Sequence, residues 1–341
     1  MINVGLVGFG LAGKMFHAPF IRLVDGLHLK TIARRSGASD LRYPDVKFVS
    51  SVDELLVDKT LELIVIASPN DQHYPTAKQC LVAGRHVVVD KPFTTTLKQA
   101  EELVAIAKEK NRIVTVFQNR RWDGDFLTLR KLIDDRALGS ILLYESHFDR
   151  FRPVLHNSWK QQALPGLGHL YDLAPHLLDQ ALVLFGAPEA ITADLRKERD
   201  DTVVDDAFDI TFHYRRMRAL LRASSQTHAP GPKLWVNGAQ AAYTKYGLDP
   251  QEDAMKAGGD PSSPGWGREA EDDWGTLTTA HEAKKVPTIP GNYRGFYENV
   301  RDAILGKQQI GVTAEDALNV MRAIELAAES NAKRCTVDWR I

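Results

Sequence analysis

Gly8-Phe9-Gly10-Leu11-Ala12-Gly13 is a full G-x-G-x-x-G, set between a short apolar run at 2–7 and a helical stretch at 11–24. In that setting the first glycine permits a tight turn and the second lets a pyrophosphate approach the backbone. The third lets helix and strand pack closely. The helix N-terminus adds N–H donors and the positive end of its dipole. The chemistry served is dinucleotide binding, with a glycine-rich turn that binds nothing as the plainer alternative. Further on, Thr31-Ile-Ala-Arg34-Arg35-Ser36 ends the second expected strand. An NAD-specific domain usually keeps a carboxylate there for the ribose 2′-OH. Here two guanidinium groups and a hydroxyl stand in its place, and a guanidinium is a planar fork of donors suited to phosphate. NADP is expected over NAD, unless the pair is only a solvated basic loop.

Two more stretches could carry a reaction. Val87-Val-Val-Asp90-Lys91-Pro92-Phe93 puts a lysine at the carboxyl end of a strand, where open α/β sheets bind their ligands. An ammonium there can hydrogen-bond a substrate hydroxyl and stabilise the alkoxide that hydride transfer demands. Taken alone it is equally an ordinary surface lysine. Tyr171-Asp172-Leu-Ala-Pro175-His176-Leu-Leu-Asp179 places Asp172, His176 and Asp179 at i, i+4 and i+7, one face of a helix. That sets an imidazole between two orienting carboxylates, with a surface salt-bridge cluster as the competing reading. Pro175 is unwelcome inside a helix, so the turn at Asp172 is expected to be irregular or the helix to start near Pro175. No third ligand lies nearby, so no metal is expected.

These residues need a scaffold, and the sequence supplies alternating elements. Strands are expected at 28–33, 46–49, 62–67, 86–90 and 113–117, with helices at 72–83 and 97–110. Leu97, Ala100, Leu103, Val104 and Ala107 form one apolar face of the latter. The alternation predicts an α/β Rossmann domain, a parallel doubly wound sheet, over 1–121. After Arg121-Trp122 the rhythm changes. Helices at 126–136 and 171–185 flank a long strand at 141–151, then strand-like stretches follow at 190–196, 207–214, 218–226, 234–237 and 240–246. Consecutive strands on short turns predict an α+β domain with a large, mostly antiparallel sheet over 122–341. The Gly-, Pro- and acid-rich segment 247–287 is expected to be a long surface excursion. Helices at 293–305 and 313–331 close the chain, with Thr313 and Asp316 resembling a capping box. Helix 313–331 is a candidate to pack back on the first domain.

Composition narrows the function classes. With 43 Lys+Arg against 44 Asp+Glu the net charge is −1, which offers no footprint for nucleic acid or an anionic membrane. At 341 residues, 44% apolar and 26% charged, the chain has core enough for about two domains. Cys80 and Cys335 lack metal-site or disulfide spacing, so a reducing cytoplasm is the expected home. No apolar run is long enough for a membrane span. The apolar start lacks a basic n-region and a cleavage site and is read as the first strand.

The residues resemble those of the Gfo/Idh/MocA oxidoreductases over essentially the whole chain. The resemblance rests on the Gly8–Gly13 loop, on Ser68-Pro69-Asn70-Asp-Gln-His73, on Asp90-Lys91-Pro92 (usually Glu-Lys-Pro in the family), and on the Asp172…His176…Asp179 stretch. Longer strings resemble one bacterial branch that includes NADP-dependent scyllo-inositol dehydrogenases. They are Lys14-Met-Phe-His-Ala-Pro-Phe20, Asn119-Arg-Arg-Trp-Asp123, Ser146-His-Phe-Asp-Arg-Phe-Arg152 and Lys245-Tyr-Gly-Leu-Asp-Pro-Gln251.

The resemblance implies that His176 is the general acid/base on a substrate hydroxyl, that Lys91 polarises the same oxygen, and that Asp172 orients the substrate or tunes the site. It implies cofactor contacts from Ser68, Pro69, Asn70, His73, Lys91 and Pro92, beside Gly8, Gly10, Leu11, Ala12 and Gly13 of the loop and Arg34, Arg35 and Ser36. The Lys91–Pro92 bond matches one that is often cis in the family. The implied substrate is a cyclic polyol or sugar. Phe148, Arg150, Arg152, Trp159, Gln162, His169 and Tyr246 are placed as substrate contacts only by their position near the motifs or in the loop. A homodimer or homotetramer through the open face of the second sheet is also implied, on the expectation that this face is an apolar patch needing cover. A catalytically silent NADP-binding regulator of the same fold is the alternative, against which the retained Lys91, Asp172 and His176 argue.

Overall fold

β1 (Ile2–Val7) is buried along nearly its whole length and pairs in parallel with β2 (Leu27–Ala33) on one side and β4 (Leu63–Ile66) on the other. Its residue Val4 sits opposite Leu29 and Leu63. With β3 (Lys47–Val49), β5 (His86–Val89) and β6 (Val114–Val116) it forms a six-stranded sheet in the order β3-β2-β1-β4-β5-β6. The central strands β1, β4 and β5 run as nearly continuous buried apolar segments, as strands covered on both faces do, whereas β2 alternates over its first half. The computed structural model describes residues 1–155 and 164–340. The chain divides into two compact units. Met1–Asn119, Asp253–Pro264 and Asn292–Leu318 form the first, and Arg120–Glu252, Gly265–Gly291 and Asn319–Ile341 the second.

In the first unit the helices α2 (Val52–Leu56), α3 (Asn70–Val82) and α4 (Leu97–Glu109) alternate with the strands. α4 opens where the Gln99 N–H donates to the Thr96 hydroxyl at 3.3 Å, and α3 gives way at Gly84, whose φ is +76°. The stretch 11–24 departs from the regular α-helix expected of it. Gly13–His17 winds as a π-helical turn, its Ala18 N–H donating to the Gly13 carbonyl, before α1 (Ala18–Leu23) resumes. Pro19 supplies a physical reason: it has no N–H, and its ring clashes with the carbonyl four residues back in a regular helix. The helix widens by one residue instead of breaking. α9 (Arg294–Ile304) packs beside α1, where Phe20 meets Tyr293 edge-on at 6.0 Å. The capping box forms as read. The Asp316 N–H donates to Thr313 Oγ1 at 3.0 Å and the Thr313 N–H to Asp316 Oδ2 at 2.9 Å, opening α10 (Ala314–Lys333).

The second unit is built on a nine-stranded sheet. Its elements begin with α5 (Gly124–Asp134), β7 (Ile141–Asp149), which is the first strand of the sheet, α6 (His169–Asp172) and α7 (Ala174–Phe185). There follow β8 (Ala190–Arg196), β9 (Ala207–His213), β10 (Arg218–Ser224), β11 (Leu234–Gly238) and β12 (Ala242–Lys245). The excursion expected at 247–287 is partly structured. It holds α8 (Gln251–Lys256) and two strands, β13 (Gly275–Thr278) and β14 (Ala283–Val286). With the terminal β15 (Val337–Asp338), the order is β14-β13-β12-β11-β7-β10-β9-β8-β15. Four-residue segments such as Gly-Thr-Leu-Thr and Ala-Lys-Lys-Val are too short and polar to show alternation, and the lysines of β14 suit a sheet edge. The sheet is mixed, because β7 and β10 pair in parallel. Along β9, Phe208, Ile210 and Phe212 are buried, while Asp209, Thr211 and His213 take the other, half-exposed face.

Candidate active site

The glycine loop follows β1 in the first unit. Gly8 has φ +92°, and a Cβ there would lie 2.4 Å from the Ala67 carbonyl oxygen. A Cβ on Gly13 would lie 2.2 Å from the Gly8 carbonyl oxygen. Both glycines are required by the fold itself. Gly10 differs, since a Cβ there meets nothing within 4 Å. That open flank is where a pyrophosphate can come against the backbone, so the loop fits a dinucleotide.

Arg34 stands at the end of β2, its guanidinium 5.9 Å from the Phe9 ring centre and 5.3 Å from that of Phe48. Its Nη2 donates to the Ser39 carbonyl at 3.1 Å. Nε is buried and has no hydrogen-bond partner among the described residues. Arg35 and Ser36 are exposed next to it. The group is a fixed guanidinium plate with a second cation and a hydroxyl at hand, a donor set that suits a phosphate.

Ser68 and Pro69 follow β4, and Asn70 begins α3. His73 is fully enclosed behind them. Its Nδ1 lies 2.7 Å from the Pro92 carbonyl oxygen and its Nε2 2.9 Å from that of Ser68. Burial pushes its pKa down, and a neutral ring donates to one of the two carbonyls only. Its geometry clips the Ser68 loop to the Pro92 turn from the inside. Lys91 lies just past β5, its peptide N–H donating to Asp90 Oδ1 at 2.8 Å, and the Lys91–Pro92 bond is cis.

In the second unit the helix starts near Pro175, as its proline leads one to expect. α6 ends at Asp172 and α7 starts at Ala174, with Pro175 in its first turn, the position proline tolerates. Asp172 and His176 therefore belong to different helices. Asp179, expected beside the imidazole, is held by an arginine. Its carboxylate accepts from Arg121 Nε at 2.7 Å and Nη2 at 2.6 Å, a buried bidentate ion pair.

His176 is buried and meets the Phe148 ring edge-on, with centroids 6.3 Å apart. The Lys233 ammonium lies 4.1 Å and the Arg120 guanidinium 4.9 Å from the Phe148 ring centre. Lys233 donates to Ser146 Oγ at 3.0 Å, and burial pushes its pKa down to about 8. Arg120 holds Asp123 at 3.2 Å and Glu252 at 2.5 Å. Burial holds the His169 pKa at about 4, with Arg150 pushing the same way and Asp172 opposing. Burial and Arg152 likewise lower Arg150, again against Asp172. Asp172, Arg150 and His169 thus form one electrostatic group.

The remaining candidates are more exposed or lie elsewhere. Arg152 is exposed, and its carbonyl accepts from Arg199. Tyr246 is 61% exposed. Trp159 and Gln162 lie outside the described residues. Arg120, Arg121 and Lys233 were missed as site residues. The Asn119–Asp123 string held the signal for the arginines, whereas nothing in the local pattern marks Lys233. Among the described residues no group of three metal-ligating side chains exists, and no helix is long and apolar enough to cross a membrane.

Residues 2–118 match the oxidoreductase family's NAD-binding Rossmann fold and residues 130–338 its C-terminal alpha/beta domain. The chain belongs to the Gfo/Idh/MocA oxidoreductase family. Among its relatives is the uncharacterized oxidoreductase YdgJ of Escherichia coli, 44% identical over 98% of each chain. Another is the scyllo-inositol 2-dehydrogenase (NADP(+)) IolW of Bacillus subtilis, 36% identical over 98% of this chain and 95% of that one. Among solved structures, the oxidoreductase yvaA of Bacillus subtilis superimposes with a TM-score of 0.95 at 35% identity, covering 99% of this chain and 98% of that one. This Gfo/Idh/MocA protein is thus an oxidoreductase with an NAD(P)-binding Rossmann domain.

Proposed function

We propose that this oxidoreductase is an NADP-dependent dehydrogenase of a cyclic polyol or sugar, acting at a ring CH–OH. The observation that carries the reading is the pair of prepared sites: in the first unit the open Gly10 flank and Lys91 at the end of β5, and in the second a buried His176 with the Asp172–Arg150–His169 group. The likeness to IolW supports the substrate class. The Gly8–Gly13 loop, through Gly10, Leu11 and Ala12, takes the pyrophosphate, and Arg34, Arg35 and Ser36 take the 2′-phosphate. Ser68, Pro69, Asn70, Lys91 and Pro92 complete the cofactor's bed, with His73 bracing it. NADP supplies the hydride acceptor or donor at its nicotinamide. His176 takes the hydroxyl proton in oxidation and returns it in reduction, and Lys91 steadies the charge on that oxygen. Asp172 orients the substrate with Arg150 and His169. A screen of inositol isomers and aldoses against NADP+ and NAD+, followed by absorbance of the reduced cofactor, tests the reading. Turnover with at least one polyol and preference for NADP+ is the expected result. Binding of NADPH without turnover of any of them favours the silent regulator.

We also propose a homodimer or homotetramer through the outer face of the second sheet. The structure corrects the reason given for it, because this face is not a large apolar patch. It carries the ion pairs Arg196–Asp209 and Arg222–Asp209, with Trp235 40% exposed nearby along the sheet. Charged pairs around an aromatic suit a two-fold contact. Light scattering at micromolar concentration should show two or four copies, and a monomer would contradict the assignment.

A further inference from the structure

The Lys14–Phe20 string has no part in the roles assigned so far, yet its π-helical turn carries His17 into the interior of the first unit. His17 and Tyr297 are both fully buried. The His17 Nδ1 lies 2.5 Å from the Tyr297 hydroxyl, and its ring packs on Phe117 with centroids 4.5 Å apart. On the other side of the ring, Nε2 faces Asp90 Oδ2 at 3.5 Å, an ion-pair separation and not a formed hydrogen bond. Asp90 in turn accepts from the Lys91 peptide N–H through Oδ1. Four groups are therefore threaded in one line, from α9 through the π turn to the lysine.

We infer that Tyr297, His17 and Asp90 form a positioning chain for Lys91, with His17 as its central positioning residue. The inference rests on the role given to Lys91 above. Burial alone would raise the Asp90 carboxyl, but the contact with His17 and the charge of Lys91 outweigh it and hold it below its usual range. The carboxylate is thus ionised in a largely closed place, where it needs a donor facing it. With Nε2–H aimed at that carboxylate, Nδ1 is left to accept from the Tyr297 hydroxyl. Burial and the charge of Asp90 keep that phenol protonated. The chain fixes which way the imidazole faces, the imidazole fixes the carboxylate, and the carboxylate fixes the peptide that bears Lys91. Three apolar side chains would fill the same volume without this cost in desolvation, so fixing the peptide is what the polar residues add.

The test uses the full chain. His17→Leu should lower kcat for scyllo-inositol oxidation by NADP+ about 10- to 100-fold, the scale of a misplaced reacting group. NADPH affinity, read by fluorescence, should move by less than about 3-fold. His17→Gln, which keeps a donor towards Asp90, should recover most of the loss. Tyr297→Phe, nearly isosteric, should show a smaller fall in kcat and stands in should His17→Leu not fold. In a Lys91→Met background the His17 change should cost nothing further. Hydrogen exchange of the cofactor-free chain needs no substrate, and there the peptide spanning Asp90 and Lys91 should exchange faster in His17→Leu and Tyr297→Phe. Wild-type exchange and kcat in both variants would overturn the chain. An equal loss on adding His17→Leu to Lys91→Met would overturn it too, leaving a purely structural histidine. Full turnover by Lys91→Met would instead remove the role of Lys91, and the chain's purpose with it.

Discussion

His176→Ala and Lys91→Ala should each lower kcat by about 10²–10⁴, the contribution of a placed proton-transfer or charge-stabilising group. The two losses should differ in what accompanies them. NADP affinity should stay nearly unchanged in His176→Ala, because α7 belongs to the second unit and the glycine loop to the first. Lys91→Ala should weaken it modestly, since Lys91 adjoins the turn that His73 ties to Ser68. The sign of the pH dependence follows from the proton's path. Alcohol oxidation needs the imidazole neutral, so kcat/KM should rise as pH increases through its titration, and His176→Ala should lose that limb. His169 does not supply the limb: held at about 4, it is already neutral below the range in question. Near wild-type turnover in His176→Ala would reduce it to a core histidine beside Phe148.

The parallel sheet was legible because its physics is local. Strands buried on both faces read as apolar runs, and each βα step leaves a helix between them, so β1 to β6 lie within a residue or two of their expected positions. What escaped depended on partners far along the chain. The π turn at Gly13–His17 is too short to show a period of its own, and only Pro19 hints that a regular helix cannot pass. β13 is a strand because β12 offers it an edge, and β14 because β13 then offers it one. Their own four residues would not select a strand.

The site shows the same division. Gly8 and Gly13 were legible as glycines that the backbone demands, and the structure separates them from Gly10, the one with open space. The i, i+4, i+7 spacing of Asp172, His176 and Asp179 assumed one helix, and Pro175 made the break near Asp172 legible in advance, whereas the partner of Asp179 was not. α7 starts at Ala174 as the proline implies, and Asp179 found Arg121, which is 58 residues away. Lys233 reaches Phe148 only because β11 lies against β7. A spacing rule sees one helix, whereas a buried carboxylate or ammonium is settled by whichever counter-group the sheet brings to it.

Exchanging Arg34 and Arg35 for Asp and Ala should shift the kcat/KM ratio from NADP+ towards NAD+ by about 10- to 100-fold, equivalent to roughly 1.4–2.8 kcal/mol. That is the worth of one charge-assisted phosphate contact, and the incoming carboxylate adds an acceptor for the 2′-OH. The two arginines are not equivalent. Arg34 is packed against Phe9 and Phe48 and bonded to the Ser39 carbonyl, so its removal also uncovers two rings of the first unit. Arg35 is exposed and its loss leaves the fold untouched. Arg35→Ala alone should therefore weaken NADP+ while leaving NAD+ kinetics and thermal stability near wild type. Arg34→Asp should change both the ratio and the melting temperature. Steady-state kinetics with each cofactor, alongside melting curves without either, separates the two effects. An unchanged ratio in the double variant would show that the 2′-phosphate is held elsewhere, and the Arg34–Arg35–Ser36 stretch would be a solvated loop at the end of β2.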